Sequence, residues 1–269
     1  MSLPLSIVII AKNEQSRIKD CLESVYGWAD EIIVVDDNSS DQTRSIALQY
    51  TDKIYQRAMD LEGRQRNFGV SHATHDWVMM LDCDERPTSG LKKEIEQLLK
   101  NPPEKIVAFW IPQMCFLGDV QIKFGGWSNP HIRLYHKKYV TWSEAEHDVV
   151  HPGTRLAEGF KGANLKESLI HFNYKNLEDV FYKVNRMSTL EAVKWHYDGR
   201  KMSKGKAIWR TVDRFFRRYV GRKGYKDGYY GFVLAVSSAL YEFSAYSKYV
   251  EIKEKGYYLD DLKRKASGG

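Results

Sequence analysis

Leu5-Ser-Ile-Val-Ile-Ile10 runs directly into Ala11-Lys-Asn-Glu14. The first six residues form an apolar, β-branched run, the pattern of a strand buried on both faces, and the polar residues after it end the strand. Glu14–Tyr26 then places Ile18, Cys21, Leu22 and Val25 at helical spacing. The same alternation continues outward: a strand at Glu31-Ile-Ile-Val-Val35, a helix over Asp41–Gln49 with Ser40 or Asp41 as its cap, and a short strand at Lys53–Gln56. A helix at Gly63–Ala73, a strand at Trp77–Leu81 and a helix at Ser89–Leu99, closed by Asn101-Pro-Pro, complete it. Such a rhythm predicts an α/β fold with a mainly parallel sheet flanked by helices. Ligands of such sheets bind beyond the carboxyl ends of the strands, so the residues just after each strand matter most.

From Val107 the pattern changes. Ala108–Phe116, Ile132–Tyr135 and Val140–Trp142 read as strands, making Val107–His171 a mixed extension of the sheet. From Asn176 onward the pattern is helical, with helices expected over Asn176–Tyr197, Lys204–Tyr219 and Tyr229–Lys255, and with Gly221 and Gly224 punctuating the last two. The organisation expected is an α/β domain over 1–175 followed by a helical region over 176–269.

Charge is unevenly placed. The 269 residues carry +6, but Arg200–Lys226 holds eleven Lys/Arg against Asp213 alone, so this window carries +10 and the rest −4. A local basic patch suits phosphates, an anionic membrane surface or nucleic acid. Three widely spaced cysteines, Cys21, Cys83 and Cys115, with no C-x-x-C pair, argue against a disulfide framework or zinc ribbon and fit a reducing compartment. The apolar start stops at Lys12-Asn-Glu14, which is not a signal peptide, and Gly231–Phe243 is too short to span a bilayer. A cytoplasmic location is therefore expected.

Strand one delivers Ala11-Lys-Asn-Glu14, strand two Asp36-Asp-Asn-Ser-Ser-Asp41, and the strand at Trp77–Leu81 delivers Asp82-Cys-Asp-Glu85. Three acidic clusters on one sheet edge repel unless cations or hydrogen-bond donors compensate. Capping explains Asp41; it explains Asp82-x-Asp84 poorly, because no helix starts at once. Paired carboxylates at a strand end suit Mg²⁺ or Mn²⁺ held jointly with substrate phosphates. No G-x-G-x-x-G follows strand one and no P-loop motif occurs, which removes the main support for dinucleotide and P-loop readings.

Four segments carry a resemblance: Ser6-Ile-Val-Ile-Ile-Ala-Lys-Asn-Glu14, Val34-Val-Asp-Asp-Asn-Ser-Ser-Asp-Gln-Thr43, Arg64-Gln-Arg-Asn-Phe-Gly69 and Met80-Leu-Asp-Cys-Asp-Glu85. In this order they resemble the successive signatures of family 2 glycosyltransferases with the Rossmann-like GT-A fold, over the first third of the chain. The resemblance implies an inverting, metal-dependent transferase using a nucleotide sugar, usually a UDP-sugar. It implies nucleoside contacts from Ala11, Asn13, Glu14 and Asp36 or Asp37, a nucleotide contact from Arg66 with Arg64 as alternate, Asp82 near the ribose and Asp84 on the metal.

Inverting transfer is a single displacement and needs one general base. Trp142-Ser-Glu-Ala-Glu-His-Asp148 offers Glu144, Glu146 and Asp148. A bacterial lipopolysaccharide-core subgroup shows a His followed by an acid here, which His147-Asp148 resembles. This favours Asp148 as base and puts His147 on the acceptor side. The same subgroup implies that His171 touches the diphosphate or metal, an ordinary structural histidine being the alternative. Its glycine-rich turn resembles Gly125-Gly-Trp127, where Trp127 either stacks on a sugar or packs in the core. The subgroup also implies a glycan or lipid-linked acceptor at the inner face of the cell membrane.

Trp209, Val212, Phe215, Phe216 and Tyr219 repeat at helical spacing among Arg210, Arg214, Arg217, Arg218 and Arg222. A basic helix with aromatics reads as peripheral attachment to an anionic membrane, or as packing on the domain or on a second subunit of a homo-oligomer. No nucleic-acid-binding motif accompanies it. Two rival functions remain: a phosphatase-type enzyme with a D-x-D nucleophile, although that motif follows the first strand in such enzymes, and a non-catalytic nucleotide or polyanion binder.

Overall fold

The computed structural model describes residues 3–145 and 153–257. In chain order its elements begin β1 (Leu3–Ala11), α1 (Ile18–Val25), β2 (Ala29–Asp36), α2 (Thr43–Ala47), β3 (Ile54–Gln56), α3 (Glu62–Ser71), β4 (Trp77–Asp82), β5 (Glu85–Pro87) and α4 (Ser89–Lys100). Next come β6 (Ile106–Ile111), β7 (Gln113–Leu117), β8 (Val120–Ile122), β9 (His131–His136), β10 (Val140–Trp142), β11 (Thr154–Leu156), β12 (Lys161–Asn164) and β13 (Leu169–Tyr174). Three helices follow: α5 (Leu177–Tyr197), α6 (Lys204–Phe216) and α7 (Gly228–Lys255). The described residues form two compact units, one of 3–113, 130–144 and 153–171, the other of 114–129, 145 and 172–257.

The first unit is an α/β layer structure around a seven-stranded sheet of order β12-β6-β9-β4-β1-β2-β3. β4, β1, β2 and β3 run parallel, β9 is antiparallel to β4 and β6, and β12 is parallel to β6. Register brings the strand ends level: Ala11 pairs with Asp36, and Ile10 with Asp82. Alternate side chains supply two cores. Leu5, Ile7 and Ile9 pack with Ile18, Leu22 and Val25 of α1 and Leu91 and Ile95 of α4. Val8 packs with Val35, Val78 and Met80, and Phe68 of α3 packs against them. Each such side chain contributes roughly 1.5–3 kcal/mol by leaving water. α3 lies close on the sheet at Gly69, where a Cβ would sit 2.5 Å from Val8 Cγ1.

Several boundaries differ from the sequence reading. α1 begins at Ile18 because Glu14–Arg17 forms a turn, in which the Glu14 carbonyl accepts from Arg17 N and Ile18 N. α2 is only five residues long. The strand expected over Ala108–Phe116 breaks at Pro112, which has no N–H for the ladder, into β6 and β7. β5 was not anticipated; it begins at Glu85 of the acidic turn, with two residues between it and the end of β4.

In the second unit, β7 and β8 form an antiparallel hairpin whose Leu117 and Ile122 pack with Val180 of α5 and Leu234 of α7. Ala192, Val193 and Trp195 of α5 pack on Ala245, Tyr249 and Ile252 of α7. Asn176 and Ser203 cap α5 and α6, accepting from Asp179 N at 2.9 Å and Lys206 N at 3.2 Å. α6 continues as a π-helical turn over Arg217–Gly221 and a 3₁₀ turn over Gly224–Asp227. Among the described residues, no helix is long and apolar enough to cross a membrane.

Candidate active site

Asp82 ends β4, and its amide donates to Glu85 Oε2 at 3.1 Å, folding 82–85 into a tight turn. Arg86 holds that turn: Nη1 donates to the Cys83 carbonyl at 2.8 Å and Nη2 to the Arg17 carbonyl at 2.8 Å. Beneath lies a buried layer. Arg133, in the middle of β9, donates through Nη2 to Glu85 Oε1 at 2.7 Å and also to Asp82 Oδ2. Arg66 of α3 donates to Glu62 Oε1 through Nε at 2.9 Å and Nη2 at 2.7 Å, and lies 3.3 Å from Asp82 Oδ1. Its guanidinium sits 4.6 Å from the Trp142 ring centroid.

Burial works to raise the Asp82 carboxyl, but Arg133 and Arg66 outweigh it and hold it well below the usual carboxylate range. For fully buried Glu85, burial outweighs Arg133 and the carboxyl is raised. Among the described residues, the buried atoms Arg66 Nη1 and Arg133 Nε find no partner.

Above this lies a layer that reaches solvent: side-chain exposures are 33% for Asp82, 17% for Asp84 and 18% for His171. β5 pairs with β13 so that His171 lies opposite Glu85. Gln113 links the two layers, its Nε2 donating to Glu85 Oε1 at 2.7 Å while its Oε1 lies 3.1 Å from His171 Nδ1. Glu85 accepts every hydrogen bond it makes here, so the amide orientation is set and Nδ1–H is the donor to Gln113. The other ring nitrogen, Nε2, faces Asp84 Oδ2, 3.6 Å away. Arg17 Nη1 lies 3.6 Å from the same oxygen. An imidazole nitrogen and a carboxylate oxygen at this separation form a pair that a divalent cation can bridge. Among the described residues, no group of three or more ligating side chains gathers, so remaining ligands for a cation would come from substrate and water.

The loops after β1 and β2 stitch together beside this edge. Asn13, at φ 53°, donates its amide to Ser39 Oγ at 2.9 Å and accepts from Ser40 N at 2.8 Å. Glu14 N donates to Thr43 Oγ1 at 2.7 Å, and Gln15 N to Asp41 Oδ2 at 3.0 Å. Asp41 also accepts from Thr43 N at 2.9 Å, an Asx turn ahead of α2; the expected cap at Ser40 or Asp41 is not formed, since Gln42 holds the N-cap position with no side-chain cap bond. Buried Asp36 accepts from Ser39 N at 3.2 Å, and Asp37 takes Lys12 Nζ and Met59 N, both at 2.9 Å. Ala11 is buried, its carbonyl accepting from Asp37 N at 2.8 Å.

Of the paired arginine candidates, Arg66 reaches Asp82, while Arg64 pairs with Asp60 at 2.8 Å and lies 3.8 Å from Glu144. Glu144 accepts from Asn67 Nδ2 at 2.7 Å and is half exposed. Glu146, His147 and Asp148 lie outside the described residues. In the second unit, Trp127 packs against the Leu117, Ile122, Val180 and Leu234 cluster, with Arg218 4.2 Å above its ring. Cys21, Cys83 and Cys115 are free and buried.

Sequence reading gave no role to Arg133, Gln113 or Arg17. Arg133 had a signal, since an arginine inside the apolar strand Ile132-Arg-Leu-Tyr135 requires an acidic partner. Gln113 and Arg17 had none.

The family model for glycosyl transferase family 2 matches residues 6–152. An uncharacterized glycosyltransferase of Rickettsia felis is 26% identical over 93% of this chain and 89% of its own. The lipopolysaccharide core biosynthesis glycosyltransferase LpsC of Rhizobium meliloti is 28% identical over 91% of this chain and 92% of its own. A glucosyl-3-phosphoglycerate synthase of Mycobacterium tuberculosis, crystallised with Mg²⁺ and uridine diphosphate, matches 41% of this chain and 43% of its own at 21% identity and a TM-score of 0.35, a likeness too slight to carry weight. With its strand-end motifs inside a match spanning more than half its length, the chain belongs to glycosyl transferase family 2.

Proposed function

We propose that the protein transfers a sugar from a nucleoside diphosphate donor, a UDP-sugar by family resemblance, to a hydroxyl of a glycan or lipid-linked acceptor, with inversion at the anomeric carbon. The observation that carries this reading is the layered turn at the end of β4, where a buried Arg66–Arg133–Glu85–Gln113 layer holds Asp82, Asp84 and His171 toward solvent. Asp84 and His171 would hold Mn²⁺ or Mg²⁺, with further ligands from the donor diphosphate. When bound, the cation supplies neutralisation of charge on the leaving diphosphate. Asp82 serves the ribose, and Ala11, Asn13, Glu14, Asp36 and Asp37 border the nucleoside. Arg66 holds Asp82 ionised and in place.

In the displacement, the acceptor oxygen forms its bond to the anomeric carbon as the bond to the diphosphate oxygen breaks. The acceptor proton passes to a carboxylate, which is Asp148 in this reading, with Glu146 and Glu144 as alternates and His147 on the acceptor side. The relative from Rhizobium meliloti, named for lipopolysaccharide core biosynthesis, supports a lipopolysaccharide-core or related surface glycan as the acceptor.

A screen of nucleotide sugars for thermal stabilisation, with and without Mn²⁺, tests the donor. One UDP-sugar at about a hundred times its Kd should stabilise the fold by about 2.7 kcal/mol only when metal is present. Hydrolysis of simple phosphate esters without nucleotide binding would instead favour a phosphatase. Nucleotide binding with no UDP release in the presence of surface-glycan acceptors would favour a non-catalytic binder.

A further inference from the structure

Helix α6 is amphipathic with its apolar side outward. Arg210, Arg214 and Arg218 follow one another at i, i+4 and turn inward. Arg210 Nε and Nη2 donate to buried Glu242 of α7 at 2.9 and 3.1 Å, and Arg214 joins the same carboxylate. Arg218 Nη1 donates to the carbonyls of Gly125 and Gly126 at 2.9 and 3.1 Å. Gly126, at φ 73°, lies against the Arg222 side chain, where a Cβ would sit 2.2 Å from Nη1. The sequence reading had offered Arg218 to a membrane; it is used inside the unit instead.

The outward face of α6 and its π-helical turn carries Trp209, Val212, Phe216 and Val220, which are 64%, 50%, 57% and 55% exposed. α7 repeats the arrangement. Tyr229, Phe232, Val236, Leu240 and Phe243 recur every three or four residues and are exposed, and no charged residue occurs from Gly228 to Tyr241. The Phe215 and Tyr219 rings meet Phe232 at 5.9 and 5.7 Å, joining the two stripes into one surface. A contiguous apolar surface of this extent marks a binding face.

Charge selects the occupant. Lys206, Arg222, Lys223 and Lys226 are exposed on and between these helices, as is Arg217, which pairs with Asp213 at 3.1 Å. Lys206 also lines a cavity of about 650 Å³ with His196, Arg200, Lys201 and Lys253 and no acid. A second copy docked face to face across a two-fold axis would set these exposed cations against their own counterparts. An anionic lipid surface complements both the apolar stripes and the cations, and the stripes are too short to span it. We propose that the outer faces of α6 and α7 insert into the headgroup region of an anionic membrane, holding the protein at its surface. This inference does not depend on the reading of the active site.

Co-sedimentation of the full chain with phosphatidylcholine vesicles, with and without phosphatidylglycerol, tests it. Wild-type protein should bind the anionic vesicles, and Val212→Glu/Phe216→Glu should bind at least about tenfold more weakly. The charge-matched control Tyr26→Glu/Leu48→Glu, at two exposed positions of the first unit, should bind within about threefold of wild type. Wild-type protein remaining in solution with every vesicle overturns the proposal without reference to any variant. So does equal loss in both double variants, which would reduce the effect to net charge. A concentration-dependent dimer that Val212→Glu/Phe216→Glu dissolves in the absence of lipid would assign the face to a second copy.

Discussion

The two ends of the first unit's sheet use the same device and finish it differently. At the amino ends of the strands, buried Glu31 accepts from the Ser6 hydroxyl, from Thr74 N at 2.8 Å and from Lys53. At the carboxyl ends, Asp82 and Glu85 are matched by Arg133 and Arg66, yet Arg133 Nε and Arg66 Nη1 lack partners among the described residues and a third of Asp82 is exposed. A closed cluster clamps the fold. An open one leaves polar capacity unused, at the sheet edge where ligands of α/β folds bind.

Removing one partner from the open end should have the largest effect on stability. Arg133→Met strips buried Glu85 of its guanidinium partner and leaves Asp82 with Arg66, and urea unfolding should show a loss of roughly 3–5 kcal/mol. A loss no larger than at a surface site would mean that the carboxylates find other cations. Gln113→Leu should act on ligand rather than fold. It frees the His171 ring from its Nδ1 partner, so Mn²⁺ affinity in a paramagnetic-resonance titration should fall about 10- to 100-fold. Unchanged affinity would remove His171 as a ligand oriented by Gln113.

The closed end should show the smallest effect, and one that depends on pH. Burial works to raise Glu31, but the bonds from Lys53, Ser6 and Thr74 outweigh it and lower its carboxyl below the ordinary value of 4.5. A folded-state value below the unfolded one contributes stability that is fully present above pH 4.5 and fades as pH falls through the folded value. Glu31→Gln should therefore cost about 1–3 kcal/mol at neutral pH, and its melting curve should converge on that of the wild type in acid. A constant difference across that range would show that the ionised form contributes nothing.

What was legible in the sequence follows from range. The runs at 5–10, 31–35 and 77–81 announce buried strands locally, and the acids after them fall at strand ends by simple succession. Arg133 finds Asp82 across 51 positions and Gln113 finds Glu85 across 28, pairings for which no local pattern exists. The basic aromatic helix was visible as a pattern, but which side faces inward depends on Glu242, Gly125 and Gly126, all far from it in sequence. Short elements such as α2 and β5 are fixed by bonds between neighbouring loops rather than by periodicity.

Calorimetric titration of UDP with Mn²⁺ or with chelator tests most directly whether the open end of the sheet is a metal-dependent nucleotide site. Wild-type protein should bind UDP at least about tenfold more tightly with Mn²⁺, a gain of about 1.4 kcal/mol, and Asp84→Asn should lose that gain while keeping its melting temperature. Equal UDP affinity with and without metal in the wild type, or a gain that survives in Asp84→Asn, would contradict such a site.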